Sequence, residues 1–345
     1  MFEYLEFKPM FELHGIKRKI KHAIIMLNFL LHDKKKFETE MSVCSMVKNE
    51  ANYIKEWIEF HKLVGVQKFY IYDNESDDNT REILEPYIKK NEVVYHICKN
   101  LKIPDACGHL APQIEVFWHC IKHYRNETKY LAIIDIDEFL VPIIHNNLQD
   151  ALKNIKDRFF NRKIFTGVCC RWVMFGTNGH NAKPDGLVIE NYKSRFRGSN
   201  PHCKSIVNPR TCIPGWIHES IHFFRSLNLY AIDQNGDCYL QKYSRKRTSA
   251  ANHQIFSQHD PSTYNEPDDA FIRCHHYYTK SYEEYKMRRM NNAKSFFRFK
   301  QGEDDKNIYE TDLPPFEEFS GKWKHLEIED TEMSRFLESL KERLR

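Results

Sequence analysis

Residues 130–139 read YLAIIDIDEF, and this stretch decides both the fold and the chemistry that the chain can support. Its first five residues are almost wholly apolar, which is typical of a strand buried on both faces of a parallel sheet. Asp135 and Asp137 follow at once. In extended backbone, residues two apart point to the same side, so we expect both carboxylates to face one way and Ile136 to face the core.

The segments around this stretch alternate between strand and helix patterns. The predicted strands cover residues 41–47, 68–72, 93–98 and 130–134, and the helices between them begin near residues 54, 80 and 113. This alternation predicts an α/β fold with a parallel sheet and crossover helices. Further along, the pattern predicts a helix at 148–159, a strand at 164–174, a Gly-rich loop at 176–186 and a helix at 281–297.

The composition divides the chain into three predicted parts. Residues 1–40 form a basic helical arm, residues 41–300 an α/β domain with a break at residue 142, and residues 301–345 a charged helical tail.

The hydrophobic fraction of 41% and the charged fraction of 29% indicate an ordinary soluble protein. No apolar run reaches the roughly 18 residues of a membrane span, and no signal peptide is recognisable. Ten cysteines without a C-x-x-C pair indicate reduced thiols rather than disulfides or structural zinc. Asn74-Glu75-Ser76 is a formal N-glycosylation acceptor inside the polar loop at residues 73–78. A glycan would block this loop, so we expect the chain not to mature in a glycosylating compartment.

We therefore expect the whole chain to be the mature protein and to be cytoplasmic.

Two acidic loops follow neighbouring predicted strands. Ligands of open α/β sheets bind at the carboxyl ends of the strands, which is where Asp135, Asp137 and the 73–78 loop should lie. Adjacent carboxylates repel each other unless a cation joins them, and a hard divalent ion shared with substrate phosphates is the simplest cation. Surface acids are the ordinary alternative for an isolated D-x-D. With a second acidic loop nearby, we expect a metal-bound nucleotide diphosphate, with Asp73 accepting bonds from the base or ribose.

A series of ordered blocks resembles glycosyltransferase family 92 and its bacterial family 2-like relatives. The blocks are SMVKNE at 45–50, FYIYDNESDD at 69–78, LAIIDIDEF at 131–139, KSIVNP at 204–209 and HYYTKS at 276–281, with Gln113 and Cys120 between them. The resemblance covers roughly residues 41 to 290. It implies a GT-A type fold, which has a mostly parallel central sheet flanked by helices, here with helical additions at both ends. With this fold, residues 41–300 are the expected catalytic domain, with a nucleotide-binding half at 41–142 and an acceptor half at 143–300.

The resemblance also implies a chemistry. It implies a nucleotide-sugar donor, commonly UDP-galactose, a glycan or glycolipid acceptor, inversion at the anomeric carbon, and Mn²⁺ or Mg²⁺. The donor-binding residues implied or expected are Val47, Asn49, Glu50, Asp73, Asn74, Ser76, Asp78, Gln113, Asp135 and Lys280. Asp135 and Asp137 are the expected metal ligands. His218 or His276 would complete the metal site, and we favour His218.

An inverting transfer needs a base that takes the proton of the acceptor hydroxyl. Glu219, Asp185 and Glu190 follow the metal motif and are the candidates. We favour Glu219 because it adjoins His218.

Two other classes of protein would use the same residues differently. A haloacid-dehalogenase-like phosphohydrolase would use Asp135 as a covalent nucleophile. A non-catalytic module would use the basic clusters to bind nucleic acid or a membrane surface. The acidic loops would repel a phosphate backbone, so we expect no nucleic-acid partner.

The basic arm has its own predicted contact. Residues 14–36 combine lysines with apolar residues at helical spacing, which predicts weak peripheral attachment to the inner membrane. Packing of the arm on the catalytic domain is the alternative. The sequence does not indicate an oligomeric state.

Overall fold

A mixed nine-stranded sheet forms the centre of the structure, which is a computed structural model. The structure describes residues 4–5, 16–32, 36–99, 112–159, 164–197, 203–213, 230–232, 238–240, 271–297, 313–324 and 327–345. The strands are β1 (Tyr4–Leu5), β2 (Thr39–Val47), β3 (Lys68–Asp73), β4 (Val93–Cys98), β5 (Thr128–Ile133), β6 (Glu138–Pro142), β7 (Gly167–Met174), β8 (Ser194–Phe196), β9 (Cys203–Val207), β10 (Tyr230–Ile232), β11 (Cys238–Leu240), β12 (Ile272–His276) and β13 (Glu327–Glu329). The order in the central sheet is β1-β4-β3-β2-β5-β9-β7-β12-β6.

Helices connect these strands and cover the sheet. They are α1 (Ile16–His32), α2 (Ile54–Leu63), α3 (Thr80–Lys89), α4 (Pro112–His123), α5 (Leu148–Phe159), α6 (Val188–Asn191), α7 (Tyr282–Phe297), α8 (Phe316–Trp323) and α9 (Ser334–Leu344), with a 3-10 turn at Pro209–Thr211. The predicted helices and strands of the first half agree with these bounds to within a few residues. The mostly parallel sheet flanked by helices that was predicted for a GT-A type fold is confirmed.

The strands β4, β3, β2 and β5 are adjacent and parallel, as the alternating pattern predicted. Cys44 of β2 lies between Tyr70 of β3 and Ile133 of β5. Neighbouring residues of β2 point into different cores: Val43 packs in one apolar cluster and Cys44 in the other. Helices therefore cover both faces, and the carboxyl ends of all four strands meet at one edge.

The second half of the sheet is not simply parallel. β9 inserts antiparallel between β5 and β7, where Ser205 pairs with both Ile133 and Cys169. β12 then joins β7 to the antiparallel edge strand β6, and this register sets His276 opposite Glu138. The sequence pattern did not predict these pairings, because their partners are far apart along the chain.

The C-terminal segment is part of the fold. β13 pairs with β8, and α9 packs against α2 through Phe336, whose ring centroid lies 5.5 Å from that of Phe60. Arg195 and Asp330 form a buried ion pair at 2.5 Å. The predicted C-terminal helix is present from Ser334, and it is amphipathic with its apolar residues in the core rather than wholly solvated.

Two further observations concern the cysteines and the hydrophobicity of the helices. Eight cysteines have side chains that the structure describes, and these eight are free and buried. Within the described ranges, no helix combines the length and the hydrophobicity that a bilayer crossing requires.

We predict that Phe336→Ala lowers the free energy of unfolding by about 3–4 kcal/mol, because it opens a cavity between α9 and α2. Chemical denaturation followed by circular dichroism measures this loss. Glu338→Ala changes an exposed residue of the same helix and should cost less than about 0.5 kcal/mol. Equal stabilities of the two variants would show that α9 contributes nothing to the core.

Candidate functional site

The acidic motif lies in a tight turn at the end of β5, at the edge of the sheet where the parallel strands end. The Glu138 N–H donates to the Asp135 carbonyl at 3.1 Å, and the Glu138 carboxylate accepts from the Asp135 N–H at 2.8 Å. Ile136 is buried, as predicted. The expected extended backbone is wrong, because the chain turns here to enter β6. As a result Asp137 is almost fully buried, whereas the side chain of Asp135 is 28% exposed.

A buried lysine holds the first carboxylate of the motif. Lys204 of β9 extends its ammonium to 2.7 Å from Asp135 Oδ2 and 3.3 Å from Glu138 Oε2. Burial alone would lower the pKa of Lys204, but these two carboxylates raise it above its ordinary value. Burial raises the pKa of Glu138 to about 7, although Lys204 opposes the shift. The antiparallel insertion of β9 beside β5 thus supplies the charge that the turn needs.

The second carboxylate has different partners. Asp137 Oδ2 lies 2.5 Å from a guanidinium nitrogen of Arg288 and 3.5 Å from His276 Nε2. Burial would raise the pKa of Asp137, but Arg288 and His276 hold it well below its ordinary range. The main-chain carbonyl of Asp137 accepts from the Tyr277 N–H at 2.8 Å. The acid is therefore ionised, and strand β12 and helix α7 fix its position.

The two predicted donor loops, after β2 and after β3, are tied together by hydrogen bonds. The Asn74 N–H donates to the Val47 carbonyl at 2.8 Å, and the Asn49 N–H donates to Ser76 Oγ at 2.9 Å. Asn49 has a left-handed backbone with φ of 58°, a conformation that Asn adopts more readily than most residues. The structure thus brings the predicted donor-binding residues of both loops into one cluster.

Glu50, Asp78 and Lys280 lie beside this cluster. Asp78 accepts from the N–H groups of Ala51 and Thr80, both at 3.0 Å, which orders the start of both following helices. Burial raises the pKa of Glu50 to about 7, although nearby Lys280 opposes the shift. Burial also lowers the pKa of Lys280, although Glu50 and Asp137 oppose that shift. A half-buried acid of the first donor loop and a buried cation thus lie close to Asp137 of the acidic turn.

Asp73 ends β3 and is buried with both carboxylate oxygens engaged. Its Oδ1 accepts from the Ser76 N–H at 2.7 Å, and its Oδ2 accepts from the Tyr95 hydroxyl. These bonds shape the loop that follows β3. A direct bond from Asp73 to a base or ribose stays a prediction.

Of the other predicted site residues, one lies near the acidic turn and two acids lie away from it. Gln113 Nε2 lies 3.5 Å from Asp135 Oδ1. Glu190 pairs with Lys341 of α9 at 2.6 Å, and Asp185 is exposed. Among the described residues, neither acid contacts the turn. The favoured pair His218 and Glu219 lies outside the described residues, so their roles stay predictions, as does the role of a base for Asp185 or Glu190.

The donor atoms at the turn fit a hard divalent cation. Carboxylate oxygens suit Mg²⁺ and Mn²⁺, and an imidazole nitrogen suits Mn²⁺. His276 Nδ1 and Glu138 Oε1 are buried atoms without a hydrogen-bond partner among the residues that the structure describes. Asp135 and Asp137 would hold the ion, with His276 beside them.

A tighter group of metal-type donors lies elsewhere, at His275, Asp330 and Glu332, whose ligand atoms are all within 4.8 Å of one another. Their carboxylates already pair with Arg195 and Arg273. Because two arginines pair with the two acids, this group joins the C-terminal segment to the sheet.

The sequence did not predict the contacts of three residues at the turn, namely Lys204, Glu138 and Arg288, although Glu138 was part of the acidic motif and Lys204 of a family block. Lys204 had a readable signal, since a lone lysine inside the apolar strand CKSIV requires a buried partner. Arg288 had none, because only the tertiary structure brings α7 to the turn.

The model of glycosyltransferase family 92 matches residues 38–295, which is more than half of the chain. A glycosyltransferase family 92 protein of Oryza sativa subsp. japonica is 33% identical over 185 residues, covering 53% of this chain and 29% of that protein. The β-1,4-galactosyltransferase galt-1 of Caenorhabditis elegans is 27% identical over 130 residues, covering 35% of this chain and 31% of that protein. The matches therefore span less than a third of either relative.

Among solved structures, residues 1–349 of S. aureus TarS superpose with a TM-score of 0.35 and 14% identity, covering 77% of this chain and 67% of that chain. At this score we match no individual residue of the two proteins.

Glu56 of α2 makes the stability of the folded protein depend on pH. Its carboxylate accepts from the N–H groups of Val188 and Ile189 at 2.9 and 3.1 Å. Burial raises its pKa from 4.5 to about 7, although these bonds oppose the shift. The folded protein therefore keeps this proton to a higher pH than the unfolded chain does, and the wild type loses stability as the pH rises from 4.5 to 7.

We predict that Glu56→Gln removes this loss. The stability of the variant relative to the wild type should increase by about 3 kcal/mol between pH 4.5 and 8. Urea unfolding at a series of pH values measures the difference. Glu338→Gln, at an exposed position of α9, should show no comparable increase. A pH-independent difference for Glu56→Gln would mean that the pKa of Glu56 is the same in the folded and the unfolded protein.

Proposed function

Because the chain belongs to glycosyltransferase family 92, we propose that it transfers a hexose from a UDP-sugar to a hydroxyl of a glycan or glycolipid. The observation that supports this most is the acidic turn at the end of β5, which lies among His276, Gln113 and the cluster of donor loops. Galactose is the proposed sugar, since the matched relative of C. elegans is a galactosyltransferase.

We propose that Asp135 and Asp137 hold Mn²⁺ or Mg²⁺ and that the ion binds the diphosphate of the donor. A bound divalent ion would stabilise the charge that develops on the departing diphosphate. The buried ammonium of Lys204 orients Asp135, and the turn itself orients Asp137. Lys280 lies close enough to Asp137 and Glu50 to add a fixed positive charge beside the donor.

Inversion at the anomeric carbon is part of the proposal, and it requires a base on the acceptor side. Glu219 remains the proposed base, with Asp185 and Glu190 as alternatives. Family membership favours glycosyl transfer over the phosphohydrolase in which Asp135 would be the nucleophile. Glycosyl transfer also accounts for both acidic loops, whereas a non-catalytic basic module would not need them.

We also propose that α1 attaches the protein to an anionic membrane surface from the cytoplasm. One side of this helix packs on the 3-10 turn region, where Ile25 meets Ile213. The other side leaves five large apolar residues more than half exposed: Ile20, Ile24, Leu27, Leu30 and Leu31. The helix contains four Lys or Arg residues and no acid. An apolar stripe with basic flanks complements an anionic lipid surface.

We predict that Asp137→Asn lowers the rate of sugar transfer about a hundredfold or more, since several kcal/mol of charge stabilisation depend on the ion. The variant should stay folded with a lower melting temperature, because Arg288 loses its partner. The rate of UDP release and thermal melting measure the two effects. Asp157→Asn, an exposed acid on α5, is the matched control. Near-normal turnover of the Asp137 variant would refute the assignment of the metal site.

The membrane proposal predicts that the protein floats with vesicles that contain phosphatidylserine and not with neutral vesicles. The double variant Ile24→Glu, Leu27→Glu should lose this binding, because it places charges in the exposed stripe. Ile144→Glu changes an apolar residue that is 62% exposed elsewhere and should bind like the wild type. Equal flotation of the double variant and the wild type would exclude attachment through α1.

A further inference from the structure

Arg288 of α7 occupies a place in the site that no sequence pattern assigned. One guanidinium nitrogen donates to the Tyr278 carbonyl at 2.9 Å, and another donates to Asp137 Oδ2 at 2.5 Å. The guanidinium also lies 4.6 Å from the centroid of the Tyr278 ring. These contacts connect the first turns of α7 to the acidic turn.

The two partners of this ion pair differ in exposure. The side chain of Asp137 is 5% exposed, whereas that of Arg288 is 29% exposed. The carboxylate is thus fixed inside the protein, whereas part of the Arg288 side chain reaches solvent. Of the two partners, Arg288 is therefore the one with room to move.

Arg288 and an incoming metal ion need the same atom. The guanidinium contacts Oδ2 of Asp137, which is also the oxygen nearest to His276. A divalent ion held by Asp137 would compete with Arg288 for this carboxylate, because both are positively charged. Without the metal, Arg288 keeps the buried carboxylate neutralised, as a buried charge requires.

We propose that Arg288 exchanges partners during the reaction cycle: it is the counter-ion of Asp137 before the donor binds, and it binds the diphosphate of the metal-bound donor afterwards. This inference rests on the proposed function. Guanidinium groups bind phosphate oxygens through two parallel hydrogen bonds, so a displaced Arg288 would find a suitable acceptor beside the metal.

The exchange gives Arg288→Gln two effects of opposite sign. Without nucleotide, Mn²⁺ should bind about tenfold more tightly than to the wild type, because the ion no longer competes with a guanidinium. With saturating Mn²⁺, UDP should bind about tenfold or more weakly, because a charge-assisted contact to phosphate is lost. A residue with a purely structural role would not move the two affinities in opposite directions.

Isothermal calorimetry with Mn²⁺ alone, and then with UDP at saturating Mn²⁺, measures both affinities on the full chain. Lys286→Gln makes the same change of charge at an exposed position of α7 and should leave both affinities unchanged. Arg288→Lys keeps the charge without the planar fork, so its UDP affinity should lie between those of the wild type and of Arg288→Gln. It also provides a folded comparison if the glutamine variant is unstable.

Three results would overturn the inference. If Arg288→Gln and Arg288→Lys bind Mn²⁺ and UDP as the wild type does, Arg288 does not exchange partners. If both affinities fall together, the guanidinium only supports the shape of the turn. If the wild type binds no UDP at any Mn²⁺ concentration, the proposed function itself fails and the inference fails with it.

Discussion

The buried ion pair between Lys204 and the acidic turn is the contact on which the rest of the site depends. Four carboxylates, those of Glu50, Asp135, Asp137 and Glu138, lie at one edge of the sheet, and Asp137 and Glu138 are buried. Such a group is unstable unless cations lie beside it. The order of the strands in the sheet brings the required cations to these acids. An antiparallel strand inserted beside β5 supplies Lys204 to Asp135 and Glu138.

The other partners of the acidic turn come from the last part of the domain. β12 brings His276 to the turn by pairing with both β7 and β6, and the helix after it brings Arg288. Lys280 lies in the short connection between them, with a left-handed backbone at φ of 49° and its ammonium 3.5 Å from the ring centroid of Tyr53. The donor loops belong to the parallel half of the sheet, and most of the neutralising charge belongs to the mixed half. The two halves are therefore held together by the charges of the site as well as by the core.

Much of the parallel half could be predicted from the sequence. Apolar runs followed by polar turns located β2 to β5 and the helices between them, because each signal is local and strong. The mixed half could not be predicted to the same depth. The pairings of β9 and β12 depend on contacts between segments tens of residues apart, and no local pattern encodes them. The turn at Asp135 was also not predicted. Alternation along an extended strand would place Asp137 on the same exposed side as Asp135, but Asp137 is buried.

Release of UDP from a panel of UDP-sugars, in the presence and absence of Mn²⁺, tests the central claim most directly, because slow transfer to water reveals the donor before any acceptor is known. The account predicts release from one UDP-hexose, with UDP-galactose foremost, and loss of that release when ethylenediaminetetraacetate removes the ion. Equal release with and without the chelator would contradict the metal site. No release from any UDP-sugar, together with hydrolysis of a simple phosphate ester, would contradict glycosyl transfer itself.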